Sequence, residues 1–243
     1  MAADMTVELE GLSRERLEVD KLHKAIRASM RALDYTLGDY TGGIYSITHV
    51  SGAVAATLAA GSDIASVRWS NDSKYFGLLK CEVSLAVITA VTTSVIFDAR
   101  LQPVRSFTTD YTTASTATSM ASNNGKLRAL GDGAMNASLM GTSGPRIMTT
   151  ATMSGETFTA DASSIGHATW PMLLPVTATG TAVALPVGAA GAKQTLFDWT
   201  LAGYQPFVLG ANEGLVVMNE TAGPASGTYK YYVTWTWVEA VRM

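Results

Sequence analysis

Nucleophilic catalysis requires a base within hydrogen-bond reach of the nucleophile, and a histidine oriented by a carboxylate is the usual one. The chain of 243 residues holds three histidines, His23, His49 and His167, and one cysteine, Cys81. His49 (SITHVSG) and His167 (SIGHATW) stand in no nucleophile or metal signature, and His23 reads as a surface or interface side chain of the N-terminal segment. Cys81 lies in the apolar run LLKCEVSLAV, where a thiol behaves as a small hydrophobe and stays protonated. There is no Gly-x-Ser-x-Gly elbow, phosphate-binding P-loop or zincin helix. Asp132, inside GDG, reads as a turn residue.

Two chemistries need only spatial proximity, which a sequence does not display. Asp110, Asp132, Glu156 and Asp161 could gather as a carboxylate pair for glycoside hydrolysis, and Tyr40, Tyr45, Tyr111 and Tyr204 could line a shallow carbohydrate groove. Asn71, Asn136 and Asn219 stand in Asn-x-Ser/Thr sequons, which the abundance of Ser and Thr explains by chance. The expectation is a protein that is not an enzyme, with no catalytic residue, cofactor or metal, whose work is contact.

The elements that would carry such contacts fall into two parts. Residues 1–39 hold six basic and eight acidic side chains, out of 17 and 20 in the whole chain, so the remainder is sparsely charged. Charged residues are only 15% of the chain, apolar ones 47%, and the formal net charge is −3. That balance excludes charge-driven disorder for most of the length and offers no basic field to gather nucleic acid or an anionic membrane. One cysteine excludes an intrachain disulfide framework. The first residues lack the charged start and apolar run of a secretory signal, and no apolar stretch approaches the roughly 20 residues of a membrane helix.

In the leader, Ser13 is placed to cap a helix running to about Leu37, with Gly38 at its C-terminal stop. Leu12, Val19, Ile26 and Leu33 recur every seven residues, and Leu22 joins them, drawing one apolar stripe flanked by Lys21, Lys24, Arg27 and Arg31. The expected docking surface is therefore Leu12, Val19, Leu22, Ile26 and Leu33, with Lys24, Arg27 and Arg31 as its electrostatic flank. Glu15 and Ser29 break the stripe too often for a long coiled coil.

From residue 40 onward the chain reads as one β body. Segments such as Ile64–Trp69, Phe76–Val91, Thr93–Val104, Arg146–Met153, Thr157–Ala162, Leu196–Trp199, Pro206–Leu209, Gly214–Met218 and Tyr229–Val241 are rich in Val, Ile, Thr and aromatics. Turn clusters separate them, among them SNDSK at 70–74, GTSGP at 141–145, ANEG at 211–214 and TAGPASG at 221–227. In YKYYVTWTWVEAV, Tyr229, Tyr231, Val233, Trp235 and Trp237 alternate with Lys230, Tyr232, Thr234, Thr236 and Val238, so the two tryptophans belong to a core. The small-residue stretches 108–120 and 176–193 read as long surface loops or arms ordered against a neighbour. The expected fold is mainly β, an antiparallel jelly-roll-like sandwich over 40–243, preceded by an N-terminal amphipathic α-helix over 1–39.

The segment from Gln205 to Ala240, QPFVLGANEGLVVMNETAGPASGTYKYYVTWTWVEA, resembles the end of β-rich structural proteins of tailed bacteriophages. There an apolar strand, a Glu-Gly-Leu turn, a second strand, a Gly/Pro/Ser loop and a closing V-x-W-x-(W)-x-E strand form the last hairpin, which here puts Glu213, Gly214 and Leu215 in a hairpin. The leader is similar in style to helices by which such proteins attach to a particle. The resemblance implies a virion structural protein, assembled in the bacterial host cytoplasm. It fits a capsid cement or decoration subunit, a head fibre, or a tail-associated adhesin or carbohydrate-binding module. The implied partners are the major capsid protein or other virion subunits and further copies of the chain, a trimer being favoured, with neither nucleic acid nor membrane among them.

Overall fold

The computed structural model describes residues 18–20, 25–27, 43–54, 58–92, 94–121, 126–129, 138–172, 190–202 and 206–241. These residues form strands β1 (Glu18–Asp20), β2 (Ala25–Arg27), β3 (Gly43–Val50), β4 (Asp63–Trp69), β5 (Lys74–Thr89), β6 (Val95–Thr109), β7 (Ser115–Ala117), β8 (Lys126–Ala129), β9 (Arg146–Met148), β10 (Thr157–Ala160), β11 (Gly166–Met172), β12 (Ala190–Asp198), β13 (Phe207–Leu209), β14 (Glu213–Met218) and β15 (Thr228–Val241). One 3-10 turn, Gly141–Ser143, sits in the GTSGP cluster. The protein is mainly β.

Beyond the β1–β2 pair, the strands make two antiparallel sheets. The first has the order β12-β5-β15-β3-β8, with β13 also on β5; the second has the order β10-β6-β14-β4-β9-β7, with β11 also on β6. β15 therefore lies in the middle of the first sheet, between β3 and β5, with Trp235 opposite both Ile47 and Cys81. Its alternation behaves as the period of a pleated strand requires: Tyr229, Tyr231, Val233, Trp235 and Trp237 are buried, while Lys230, Tyr232, Thr234 and Thr236 are half-exposed. A register shift after Thr236 leaves Leu79 as an extra residue on β5. Beyond that bulge Leu79 and Val238 pack with Ile44 and Trp199 in a small separate cluster.

The two sheets share one core, in which Tyr45 stacks on Trp237 at 5.4 Å, Trp237 on Phe76 at 5.8 Å, and Trp69 tilts against Phe76. Such ring pairs add about 0.5–1.5 kcal/mol each beyond their buried area. The sheets differ on their other faces. Along β5 and β15 burial alternates, so one face of the first sheet is buried and the other half-exposed. Every residue of β4 except Arg68, and Gly214 through Met218 of β14, is buried, so the second sheet is covered on both faces.

The cover comes from the chain on either side of β7 and around β10. Ser106 takes a left-handed φ of 52°, turning β6 so that the Phe107 ring lies over Gly214, where a Cβ would stand 2.5 Å from it. Phe107, Tyr111 and Phe158 then pack edge to face. The Arg68 guanidinium donates to the Phe107 carbonyl at 2.7 Å, and Gln102 donates to the Asp161 and Ser163 carbonyls. The stretch 108–120, expected as a loop or arm, thus folds back on its own sheet, supplying β7 and burying Tyr111 and Met120. The run, whose one charge is Asp110, carries two large apolar anchors, Tyr111 and Met120, that hold it.

Two further expectations are corrected. Of the leader helix over 13–37, the described residues are β1 and β2, an antiparallel pair with Val19 opposite Ile26 and Glu18 opposite Arg27. β-branched residues fit an extended backbone better than a helical one. Leu12, Leu22, Lys24, Arg31 and Leu33 lie outside the described residues. The C-terminal segment forms no hairpin: β13 pairs with β5, β14 belongs to the second sheet and β15 to the first, so 219–227 crosses between sheets. Gly214 and Leu215 sit at the start of β14, and Leu215 and Val217 are both fully buried as their alternation implied.

Candidate functional site

The residues whose chemistry the sequence singled out are dispersed. Cys81 faces the core at zero exposure, and burial holds its thiol well above the usual range, so it stays protonated. His49 points inward from β3, is buried, and meets the Thr118 hydroxyl through Nδ1 at 3.1 Å. Burial pushes it down to about 4, leaving it neutral near pH 7. His167 faces Glu220 at 3.3 Å on the far side of the second sheet. His23 and Asp132 lie outside the described residues.

The carboxylates proposed for hydrolysis do not gather. Asp110 is held by the Arg146 Nε at 2.8 Å, while Asp161 shares Arg105 with Glu213. Glu156 belongs to neither ion pair; it lies within electrostatic reach of Asp63 and, like Asp110, of the Tyr111 hydroxyl. The aromatic groove is corrected in the same way: Tyr45 and Tyr111 are fully buried in the core, and Tyr40 and Tyr204 are outside the described residues. Of the sequons, Asn71 accepts from the Ser73 and Lys74 amides and the Ser73 hydroxyl, closing the β4–β5 turn. Asn219 is buried, and Asn136 is not described.

The described residues also include polar nodes that fasten loops. Asp98 is buried in β6 and accepts from the Glu220 and Thr221 amides at 2.7 to 3.1 Å, pinning the start of the sheet-crossing loop. Asn219 holds the same loop from the other side: Oδ1 accepts from the Ser62 amide at 2.7 Å, and Nδ2 donates to the Ala59 and Thr221 carbonyls at 2.9 and 2.8 Å. Glu239 accepts from the Ser138 hydroxyl, the Leu139 amide at 3.0 Å and the Trp237 indole at 3.2 Å. Burial raises it above the ordinary glutamate value despite those donors.

The most unusual node is Asp63. Its amide donates to the Thr152 hydroxyl at 3.1 Å, its carbonyl accepts from the Met153 amide at 3.3 Å, and its Oδ2 accepts from the Tyr111 hydroxyl at 2.8 Å. One residue thereby ties β4 to both segments of the cover. Burial pushes it up to about 6; the Tyr111 bond opposes this, Glu156 adds to it and Arg100 opposes it. Asp63, Asp98 and Glu239 had not been singled out from sequence, and Asn219 only as a sequon. The available signal was a carboxylate or amide inside an apolar run of a chain poor in charge: VIFDARL, VVMNETA and TWVEAV.

On the half-exposed face of the first sheet, Ser46 bonds to Thr236 at 3.0 Å, Thr48 to Thr234 at 2.9 Å and Thr89 to Thr228 at 2.9 Å. Its charges concentrate at the β5–β12 side, where Lys80 and Lys193 bracket Glu82 at 2.8 and 2.6 Å. An open cleft of about 310 Å³ runs between Ile165 and the end of β12, with Leu201, 84% exposed, on its lip. Val208 on the neighbouring β13 is 50% exposed. Among the described residues no group of three or more His, Cys, Asp or Glu could hold a metal ion, and no helix is long and apolar enough to cross a membrane. No protein-family model matches the chain, and no curated protein matches it.

Proposed function

We propose that the protein is a virion structural subunit of jelly-roll fold that decorates or cements a phage head through protein–protein contact. The observation that carries this reading is the arrangement of eight main strands. Taken in chain order as β3, β4, β5, β6, β11, β12, β14 and β15, they form one sheet of order β3-β15-β5-β12 and another of order β4-β14-β6-β11. Two interlocked Greek keys would produce such an interleaving, which supports the jelly-roll reading. Support of a second kind comes from the side chains: Asp63, Asp98 and Glu239 are engaged in fastening loops, while the free face of the first sheet is a ladder of hydroxyls with its charges gathered at the β5–β12 side. Stable interfaces are depleted of charged residues at their centres.

In this reading the free face and the leader are the contact surfaces, meeting other copies, the major capsid protein or both, and the protein acts in the virion as a homo-oligomer, trimer favoured. Val19, Ile26 and Arg27, in β1 and β2, with Leu12, Leu22, Lys24, Arg31 and Leu33, would lie against a neighbouring subunit. A stable attachment of this kind buries about 800 Å² per partner. The test measures oligomeric mass by light scattering and co-sedimentation with purified capsids for three forms: the full chain, a chain lacking residues 1–37, and Thr48→Lys/Thr234→Lys. Loss of attachment in the truncated form and loss of oligomer in the lysine form are expected. A full chain that stays monomeric and ignores capsids refutes the proposal.

A further inference from the structure

We propose that two copies of the protein pair edge to edge through β3, Ser46–Val50 of one running antiparallel to Ser46–Val50 of the other about a two-fold axis at Thr48. The inference does not depend on the virion reading and starts from the backbone groups that β3 leaves open. The Ser51 amide donates to the Tyr231 carbonyl at 2.9 Å, and the register of β3 on β15 runs unbroken from Val50 opposite Tyr232 to Ile44 opposite Val238. In an antiparallel ladder every second residue bonds to a given neighbour, so the odd-numbered residues of β3 face β15, while Ser46, Thr48 and Val50 aim N–H and C=O the other way. On that side β8 takes up Gly43–Tyr45, and among the described residues no strand continues the sheet beside Ser46–Val50. Thr48 and Val50 are both exposed, Val50 at 47%.

An open edge is a template for strand pairing, and folded chains blunt theirs with short strands, charges, proline or bulges. Among the described residues the other sheet edges all carry such a device. β12 has Lys193, two register shifts against β5, and the Trp170 indole on its Ala192 carbonyl at 2.6 Å. β8 has four residues, Lys126 and Arg128 among them; β7 and β13 have three each, β13 following Pro206. β10 has a register shift after Thr157, and β11 contains Pro171. Ser46–Val50 has no charge, proline, glycine or register shift. The occupant that fits such an edge is the same segment of a second copy. About the axis at Thr48, Thr48 meets the partner's Thr48 and Ser46 meets the partner's Val50, all through outward-facing backbone groups, so six backbone bonds form. No charge is set opposite itself, and Ile47, half-buried at the rim of the core, meets the partner's His49, which is neutral near pH 7. The contact is isologous, so it closes at two and uses the open edge of both copies. It lies in the plane of the sheet, leaving the Ser46 and Thr48 hydroxyls with Thr236 and Thr234 on the free face. A ring of three closed through that face would become a hexamer.

Light scattering of the full chain is expected to give an even copy number. Thr48→Pro removes an outward N–H without touching a bond to β15, so it should weaken the pair about tenfold or more in Kd while far-ultraviolet circular dichroism stays that of the wild type. Cysteines report the register. Mild oxidation should join Thr48→Cys into covalent dimers on a non-reducing gel, because opposed residues of a bonded pair stand about 5.5 Å apart at Cα, within disulfide reach. Val50→Cys should stay unjoined, since its counterpart lies four residues along the partner strand, roughly 13 Å away. Combining Ser46→Cys with Val50→Cys should restore the link. Cys81, the one native thiol, is buried and does not compete. A monomer or an odd copy number, a folded Thr48→Pro that associates like the wild type, or a Val50→Cys that joins as readily as Thr48→Cys each overturns the proposal. An odd copy number leaves the capsid reading standing, because co-sedimentation tests that separately. Should Thr48→Pro fail to fold, the Thr48→Cys and Val50→Cys pair decides.

Discussion

Asn219 offers the sharpest test of how the crossing between the two sheets is held. Its side chain is 1% exposed and makes three bonds, one received from the Ser62 amide and two given to the Ala59 and Thr221 carbonyls. Only an amide has an acceptor and two donors in this layout, and the partners fix which end is which. Asn219→Ala removes three neutral bonds, worth about 1 kcal/mol each net. For the Ser62 bond the cost is instead that of stranding a buried amide, about 1–3 kcal/mol, which leaves about 2 kcal/mol for the other two bonds. Ala59 and Thr221 are exposed, so their carbonyls can be rehydrated, and the total expected loss is about 3–5 kcal/mol. Asn219→Asp keeps the Ser62 bond but aims a carboxylate oxygen at two carbonyls, placing an unpaired charge where a donor stood. It is therefore expected to cost at least as much as alanine at pH 7. Below about pH 5 the protonated acid can donate to one carbonyl, so aspartate should regain stability that alanine does not. Urea denaturation of the three proteins at pH 7 and pH 4.5 measures both differences. An aspartate variant within 1 kcal/mol of the wild type at pH 7, or an alanine variant that gains as much on acidification, would show that the amide is not what fastens the loop.

His49 and Gly166 give two further predictions. Because folding lowers the His49 value from 6.5 to about 4, the unfolded chain binds a proton below pH 6.5 that the folded one refuses. Its contribution is present above pH 6.5 and is lost as pH falls to about 4, by up to about 3 kcal/mol at 1.36 kcal/mol per unit; denaturation of His49→Gln at pH 4.5 and 7 should show a shallower acid loss than the wild type, and an identical loss would assign it elsewhere. At Gly166 in β11 a Cβ would stand 1.8 Å from the Leu196 carbonyl oxygen of β12. Gly166→Ala must therefore push the edges of the two sheets apart, and a loss of about 1–3 kcal/mol is expected in thermal melts, as for other overpacked sites. No change in Tm would mean that the strands do not approach so closely.

The strand pattern was legible wherever alternation was clean, and the reasons for the failures are local. β15 could be read outright because five large residues fill every second position, and β4, β10, β13 and β14 fell close to their expected places. β3 escaped notice because GIYSITHV places His49 inward, where an apolar residue would mark the register, and presents hydroxyls outward. β11, GHATWPM, carries Pro171, which demotes a strand in sequence yet is tolerated here at the sheet edge, beside β6 alone among the sheet's strands. The leader misled because heptad spacing of Val19 and Ile26 also allows them to face each other across an antiparallel pair, as they do in β1 and β2. The loop-fastening residues were invisible for a deeper reason: Asp63 with Thr152, Asp98 with Thr221 and Asn219 with Ser62 are joined across long stretches of chain, and no local spacing encodes such a meeting.

The asymmetry between the sheets bears on why one face would be left free. A sheet face awaiting a partner must lose its water on contact, and the cost depends on what the water was bonded to. Charges lose far more than hydroxyls, and hydroxyls already bonded to each other lose least. On β3 and β15 the exposed Ser and Thr side chains are paired across the strands, Ser46 with Thr236 and Thr48 with Thr234, so much of their hydrogen-bonding capacity is met within the subunit. Such a face can be dried at low cost and still does not expose a broad apolar surface before assembly. The second sheet solves the opposite problem: β4 and β14 are buried on both sides, and their outward apolar residues would be bared if left open, so the chain spends the segments 107–121 and 149–160 on covering them. Opening that cover would bare Val216 and Met218 of β14 and Ile64 of β4, so the cover keeps the second sheet out of contacts that the first sheet's hydroxyl face can make.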